Sequence, residues 1–442
     1  MSGTGNTLTV AAAGDAMVTR RLTRIRHGRF RELRRVITDA DASVINLEGP
    51  LYEDEDAPTA GPLAHFRSPP RVINELTSTG FDLFSAANNH IGDYGQSGVS
   101  RTIKILERRD LPYAGIGQNR AAARAPTYLE TRAGRVALLA VTTTFVPGTE
   151  AAHRRRDAPG RPGVASLRMR PRYTVTDNHL EGLRKLRDAL GMDDLINDRG
   201  RYVDESDDTE AVSLLSLDDG PAGDTIEFQR GEKNRISFEL HSDDLAEIQT
   251  EIETANRNAD VVIMSVHSHE GESGRYNDES VPSELETFAR DCIDTGVDMV
   301  CCHGPHRVRG IELYGGAPIF YSLGNFALQY HMVPFFPAET YEALSLERDA
   351  SPLDVQEALG SPVAEDVEKQ GIVPVCSFDD SGLREIRLHP IELGVDRDVS
   401  HHGTPALAEG AVAATVLERL STLSDAYGTD IQTREGIGTV EL

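Results

Sequence analysis

The stretch VVIMSVHSHE at 261–270 decides the fold. An apolar run broken by one serine is too short for a globular helix and reads as a buried strand over Val261–Val266. It stops at His267, with His269 and Glu270 just beyond. The same punctuation recurs along the chain. Leu8–Ala13 ends at Gly14-Asp15, Ser43–Leu47 at Glu48-Gly49-Pro50, and Phe81–Ala87 at Asn88-Asn89-His90. Val297–Cys302 ends at His303 and Pro318–Leu323 at Gly324-Asn325, while Arg135–Val141 is a further strand. Helical spacing separates these runs over Phe30–Ala40, Arg71–Thr79, Gln96–Arg109, Leu245–Asn256 and Glu284–Asp294. Strands alternating with helices predict a layered α/β fold, in which a sheet gathers the carboxyl ends of its parallel strands into one cleft.

The remaining sequence is less periodic. Residues 52–70 are acidic and proline-rich and read as a loop. Residues 146–235 carry the basic run His153-Arg154-Arg155-Arg156, a helix near Asp177–Leu190 and acidic stretches such as Val203–Glu210. They read as a large insertion over one mouth of the fold, extending to about 240, with a second excursion at 330–370. Strands near Val373–Phe378 and Leu383–His389 and a helix over Ala406–Leu423 form a carboxyl-terminal extension at 371–442. The expectation is one domain spanning 1–442.

Composition is that of a globular protein of 442 residues, 39% hydrophobic and 26% charged. The formal charge of −26 argues against a general nucleic-acid surface, because phosphate backbones require a positive field. An anionic small molecule or polymer remains an acceptable substrate if a local basic pocket exists. Four cysteines without CxxC spacing read as buried core thiols of a reducing compartment. The amino terminus lacks a basic segment followed by a long apolar one, and no run approaches the ~20 residues of a membrane span. The expected location is therefore cytoplasmic, without stable membrane insertion.

The strand-end residues carry the chemistry. Carboxylate and amide oxygens mixed with imidazole suit one or two Mn²⁺, Fe or Zn²⁺ ions, and Mg²⁺ less well. Each residue also has a structural reading. Asp15 could serve a turn, Glu48 could cap the next segment, and the His267/His269 pair could face solvent from a loop. The Asn88-Asn89-His90 cluster is costly at the end of an apolar strand unless it is hydrogen-bonded or ligated. His303 and His306, held by Gly304 and Pro305, carry the strongest signal.

The sequence resembles the CapA family of poly-γ-glutamate capsule synthesis proteins, whose domain is similar to calcineurin-like metallophosphoesterases. The likeness rests on GDAM at 14–17, INLEGPL at 45–51, AANNHIGDYGQSGV at 86–99, YAGIG at 113–117, SVHSHEG at 265–271 and CHGPHRVRGIELYGGAPIFYSLGNF at 302–326. It implies a four-layer α/β/β/α metallophosphoesterase-like sandwich. It also implies a metal set of Asp15, Glu48, Asn89, His267, His303 and His306. In that set Glu48 replaces the usual bridging aspartate, and Met17 stands where phosphoesterases carry a histidine. His269 is the candidate to compensate for that loss.

The expected reaction is metal-dependent hydrolysis of a phosphoester by a metal-activated water. Asp15, His267 and His306 would hold one ion, Asn89 and His303 the other, with Glu48 between them. His90 would donate a proton to the leaving group or orient its neighbours. Arg307 and Arg309 would grip an anion or pair with the protein's own acids. The competing readings are amide or γ-glutamyl hydrolysis and a non-catalytic accessory role in capsule-polymer synthesis, the latter with an envelope-polymer synthase as partner.

Overall fold

The computed structural model describes residues 7–25, 28–53, 57–60, 65–192, 211–215, 225–329, 333, 335–347, 349–358, 366–394 and 401–442. The chain forms a mixed α/β architecture of several sheets flanked by helices. In the larger sheet, Leu8–Met17 lies parallel to Ala42–Leu47, which is followed by Leu83–Ser85 and Tyr113–Ala114. On its other side Leu8–Met17 pairs with Asn325–Leu328 in parallel and with Gln370–Asp379 in antiparallel. The second sheet places Val261–His267 between Arg135–Thr142 and Met299–His303, all parallel, with Ala317–Phe320 next to Met299–His303.

Alternation along the 261–267 strand shows how it is buried on both faces. Val261 and Ile263 join a core with Val10, Ala12 and Val44 of the larger sheet. Val262, Met264 and Val266 join another with Ile248 and Ile252 of helix Ser242–Asn256 and Leu285 and Phe288 of helix Ser283–Thr295. The run is apolar because neither face meets water. Ser265, its one polar member before His267, donates to Ser85 Oγ at 2.8 Å and so ties the two sheets together.

At Asp15 the edge pairing with Asn325–Leu328 slips register between Asp15 and Ala16. Such an irregularity turns the following side chains. Met17, two residues on, enters a separate apolar cluster with Phe66 and Leu328 and is 1% exposed. Gly14 is obligatory here, since a Cβ would lie 1.9 Å from Gly324 O.

Several expected boundaries move. The Pro318–Leu323 run ends as a strand at Phe320, and Asn325–Leu328 belongs to the other sheet. The last helix begins at Gly410 rather than 406, because Ala406–Leu407 pairs with Gly382–Glu392. The insertion contains a four-stranded sheet in the order Ala211–Leu215, Thr225–Arg230, Met169–Val175, Arg235–Leu240. Its half-exposed strands lack the apolar runs on which the strand reading relied. The acidic stretch Val203–Glu210 lies outside the described residues. All four cysteines are buried free thiols. Cys301 faces the inter-sheet core and Cys302 the helix side, as alternation requires.

Candidate metal centre

Five strand ends deliver the candidate ligands to one place. Asp15 and Glu48 are fully buried, as are His267, His269 and His303 within 2% exposure. His267 sits at the centre. Its Nε2 lies 3.0 Å from both Asn89 Oδ1 and His269 Nε2, and its Nδ1 lies 2.9 Å from His303 Nδ1. Asp15 Oδ1 is 3.3 Å from His303 Nδ1, and Asp15 Oδ2 is 3.5 Å from His306 Nδ1. Three sets of donor atoms each converge within 4.8 Å: Asp15, His267 and His303; Glu48, His267 and His269; Asp15, Glu48 and His306. This grouping differs from the division expected with the family likeness, because Asn89 Oδ1 approaches His267 Nε2 while His303 Nδ1 turns toward Asp15 Oδ1.

The electrostatics follow from this packing. Burial pushes the Asp15 carboxyl up, but hydrogen bonds from His303 and His306 outweigh it and hold the group well below the usual carboxylate range. Burial and the neighbouring Asp15 charge push Glu48 well above its ordinary value. Among the described residues neither Glu48 oxygen has a hydrogen-bond donor. Burial, then His269 and His303, depress His267, and burial with His306 takes His269 down to about 3. His306 goes the other way: burial disfavours its charge, yet the Asp15 hydrogen bond and Glu48 raise it to about 9. A buried Glu48 side chain without donors among the described residues, facing the His267 and His269 imidazoles held neutral, forms a donor set that could hold a divalent cation.

Surrounding residues fix these candidate ligands. Ser265 Oγ lies 2.8 Å from His303 Nε2, Asn277 Oδ1 lies 2.6 Å from His269 Nδ1, and Asn325 Oδ1 lies 2.9 Å from His306 Nδ1. Asn46 Nδ2 donates to Asp15 Oδ1 at 2.8 Å, and Asn88 Nδ2 to Asn46 Oδ1 at 3.2 Å. Gly304 N donates to Asp15 Oδ2 at 3.0 Å. Tyr276 stacks on His269 with ring centroids 4.7 Å apart. Sequence reasoning missed Asn46, Ser265, Tyr276 and Asn277. Ser265 was visible as the single polar interruption of a buried strand. Asn277 and Tyr276 reach the site through a loop return that carries no local signal.

His90 stands beside this cluster with Nδ1 2.7 Å from Asp93 Oδ2, which also accepts from Phe66 N at 2.6 Å. Arg307 Nη2 lies 3.7 Å from Glu368 Oε1. Arg309 does not face the cluster. It is fully buried and donates to the carbonyls of Asp278 and Glu270 at 2.9 and 3.0 Å, bracing the loop that presents His269 and Asn277.

Buried histidines on parallel strand ends, beside carboxylates and an asparagine, form clusters that could hold a metal ion. Residues 9–330 match the family described as Bacterial capsule synthesis protein PGA_cap, and the chain belongs to that family. It is 34% identical to the uncharacterized protein y4sH of Sinorhizobium fredii, covering 98% of this chain and 93% of the relative. It is 26% identical to the capsule biosynthesis protein CapA of Bacillus anthracis, over 85% of this chain and 74% of the relative. Identity to the PGA biosynthesis protein CapA of Bacillus subtilis is 21%, over 82% and 76% of the two chains. Among the described residues no helix is long and apolar enough to cross a membrane.

Proposed function

We propose that this chain is a metal-dependent hydrolase acting on a phosphoester. The observation that carries the reading is the buried Glu48 carboxylate, without a hydrogen-bond donor among the described residues and set among His267, His269, His306 and Asp15. In this reading Glu48, Asn89, His267 and His269 hold one divalent ion. Asp15, Glu48 and His306 hold a second, and His303, anchored by Ser265, positions Asp15. A bound ion supplies a water of lowered pKa and positive charge opposite the substrate oxygens. His90, oriented through Nδ1 by Asp93, presents its other ring nitrogen to deliver a proton to the leaving oxygen. Arg307 grips a substrate anion by exchanging its Glu368 partner.

The proposed frame is a single domain over 1–442, a four-layer α/β/β/α sandwich with the two sheets face to face. The Ser85–Ser265 bond and the core shared by both sheets support it. The names of the Bacillus relatives favour a second reading, an accessory part in capsule-polymer synthesis beside a synthase. The deciding experiment loads the protein with Mn²⁺ or Zn²⁺, measures metal stoichiometry, and assays a generic phosphomonoester and phosphodiester. Hydrolysis that disappears in a folded His267→Ala protein supports the first reading. Metal bound near integer stoichiometry without hydrolysis of either ester refutes it, and hydrolysis confined to a γ-glutamyl peptide replaces the phosphoester with an amide.

A further inference from the structure

A second constellation lies past the ends of the strands that carry Asp15 and Asn325. A cavity of about 610 Å³ is lined by Thr19, Arg20, Arg21, Arg24, Arg71 and Gln329, with Ile25 and Thr404 completing it. Among the described residues that line it, four are arginines and none is acidic, in a chain whose 71 Asp and Glu outnumber its 45 Lys and Arg. Arg71 is paired with Glu53 at 2.9 Å. Among the described residues neither Arg21 nor Arg24 has an acidic partner. The Arg21 and Arg24 guanidinium groups, beside two further arginines, repel their like-charged neighbours, and an anion relieves the arrangement.

Gln329 supplies an independent sign. It is fully buried, and its Oε1 accepts from Thr19 N at 2.8 Å and Arg20 N at 2.9 Å, which fixes the orientation of the amide. Its Nε2 has no acceptor among the described residues. A buried amide donor is costly to leave without an acceptor, and here it borders an arginine-walled cavity. Arg20 is five residues beyond Asp15 and Gln329 four beyond Asn325. At roughly 3.6 Å per residue the Asp15-to-Arg20 span is at most about 18 Å.

We propose that the cavity of Arg20, Arg21, Arg24 and Gln329 is a subsite for a carboxylate or phosphate of a polyanionic substrate whose reacting bond lies at the metal-binding cluster. Guanidinium forks bind either oxyanion bidentately, and a repeating anionic chain spans both places at once. Only the position of the reacting bond rests on the hydrolase reading; the anion subsite stands on its own residues.

The test measures fluorescence anisotropy of labelled polyglutamate and labelled polyphosphate of matched length, with the full chain at two salt concentrations. The variants are R21E/R24E and Gln329→Glu. The second keeps the acceptor for Thr19 and Arg20, removes the donor and sets a negative charge against an incoming anion. Wild-type binding that weakens with salt, and falls at least tenfold in both variants with unfolding temperature retained, supports the subsite. The polymer bound more tightly identifies the anion. Absence of wild-type binding to either polymer, or equal affinity in both variants, overturns it. His267→Ala is the control: lost hydrolysis with binding intact locates a failure at the metal-binding cluster, not here.

Discussion

Replacing Glu48 with glutamine should move stability in opposite directions with and without metal. In the metal-free chain this side chain is buried beside Asp15, with no donor to either oxygen among the described residues. An unsatisfied buried polar group costs about 1–3 kcal/mol, and a glutamine amide facing Asp15 recovers a hydrogen bond worth about 1 kcal/mol. Metal-free Glu48→Gln is therefore expected to be more stable than wild type by about 1–3 kcal/mol. The gain depends on pH. Glu48 is raised above its ordinary 4.5, so its contribution is fully present below that value and is lost as pH rises through the raised folded value. The advantage of glutamine should accordingly be small near pH 4.5 and grow above it. With metal the order reverses. An ion at a hundredfold its Kd stabilises wild type by about 2.7 kcal/mol, and most of that should vanish in the variant. Urea unfolding with EDTA and with Mn²⁺ or Zn²⁺ measures both arms. A variant less stable than wild type without metal, or one that keeps the full metal increment, refutes the reasoning.

Four further outcomes follow from the same geometry. His90→Ala should lower kcat on a phosphoester by roughly 10²–10⁴ with bound metal unchanged, measured by steady-state kinetics and metal analysis. In the metal-free protein the His306–Asp15 pair should stabilise below the ordinary histidine value of 6.5 and fade as pH rises through about 9; the stability gap between wild type and His306→Gln, followed by urea titration, should close over that window. Arg309→Met should cost about 2–4 kcal/mol in urea unfolding, because it strips donors from the part-buried carbonyls of Glu270 and Asp278. Gly14→Ala should cost several kcal/mol, about 3 or more, by forcing a methyl group into Gly324 O, and should lower the thermal midpoint in proportion.

The strands that build the site were legible because they are buried on both faces. Val261–His267 is apolar throughout except at the serine that clasps the other sheet, and its polarity changes abruptly at the histidine. The same contrast exposed Asp15, Glu48 and Asn89, since polar side chains at the ends of buried strands need partners. What stayed hidden depends on tertiary approach. Nothing local distinguishes Asn277 from any loop asparagine, and only the fold brings it 2.6 Å from His269. Arg309 lies three residues past His306, yet its guanidinium serves backbone carbonyls. The sheet within the insertion escaped notice because strands such as Met169–Val175 are half exposed and carry mixed side chains.

The register slip at Asp15 bears on how this centre can evolve. In a regular strand positions 15 and 17 would share a face, and one codon change could restore an imidazole beside the aspartate. Here residue 17 is committed to the company of Phe66 and Leu328. A histidine substituted there would enter a greasy niche and lose packing before it gained any ligand role. Recovery of that ligand would need the backbone to straighten at the same time; in the proposed metal centre an imidazole would come instead from His269, two residues past the Val261–His267 strand.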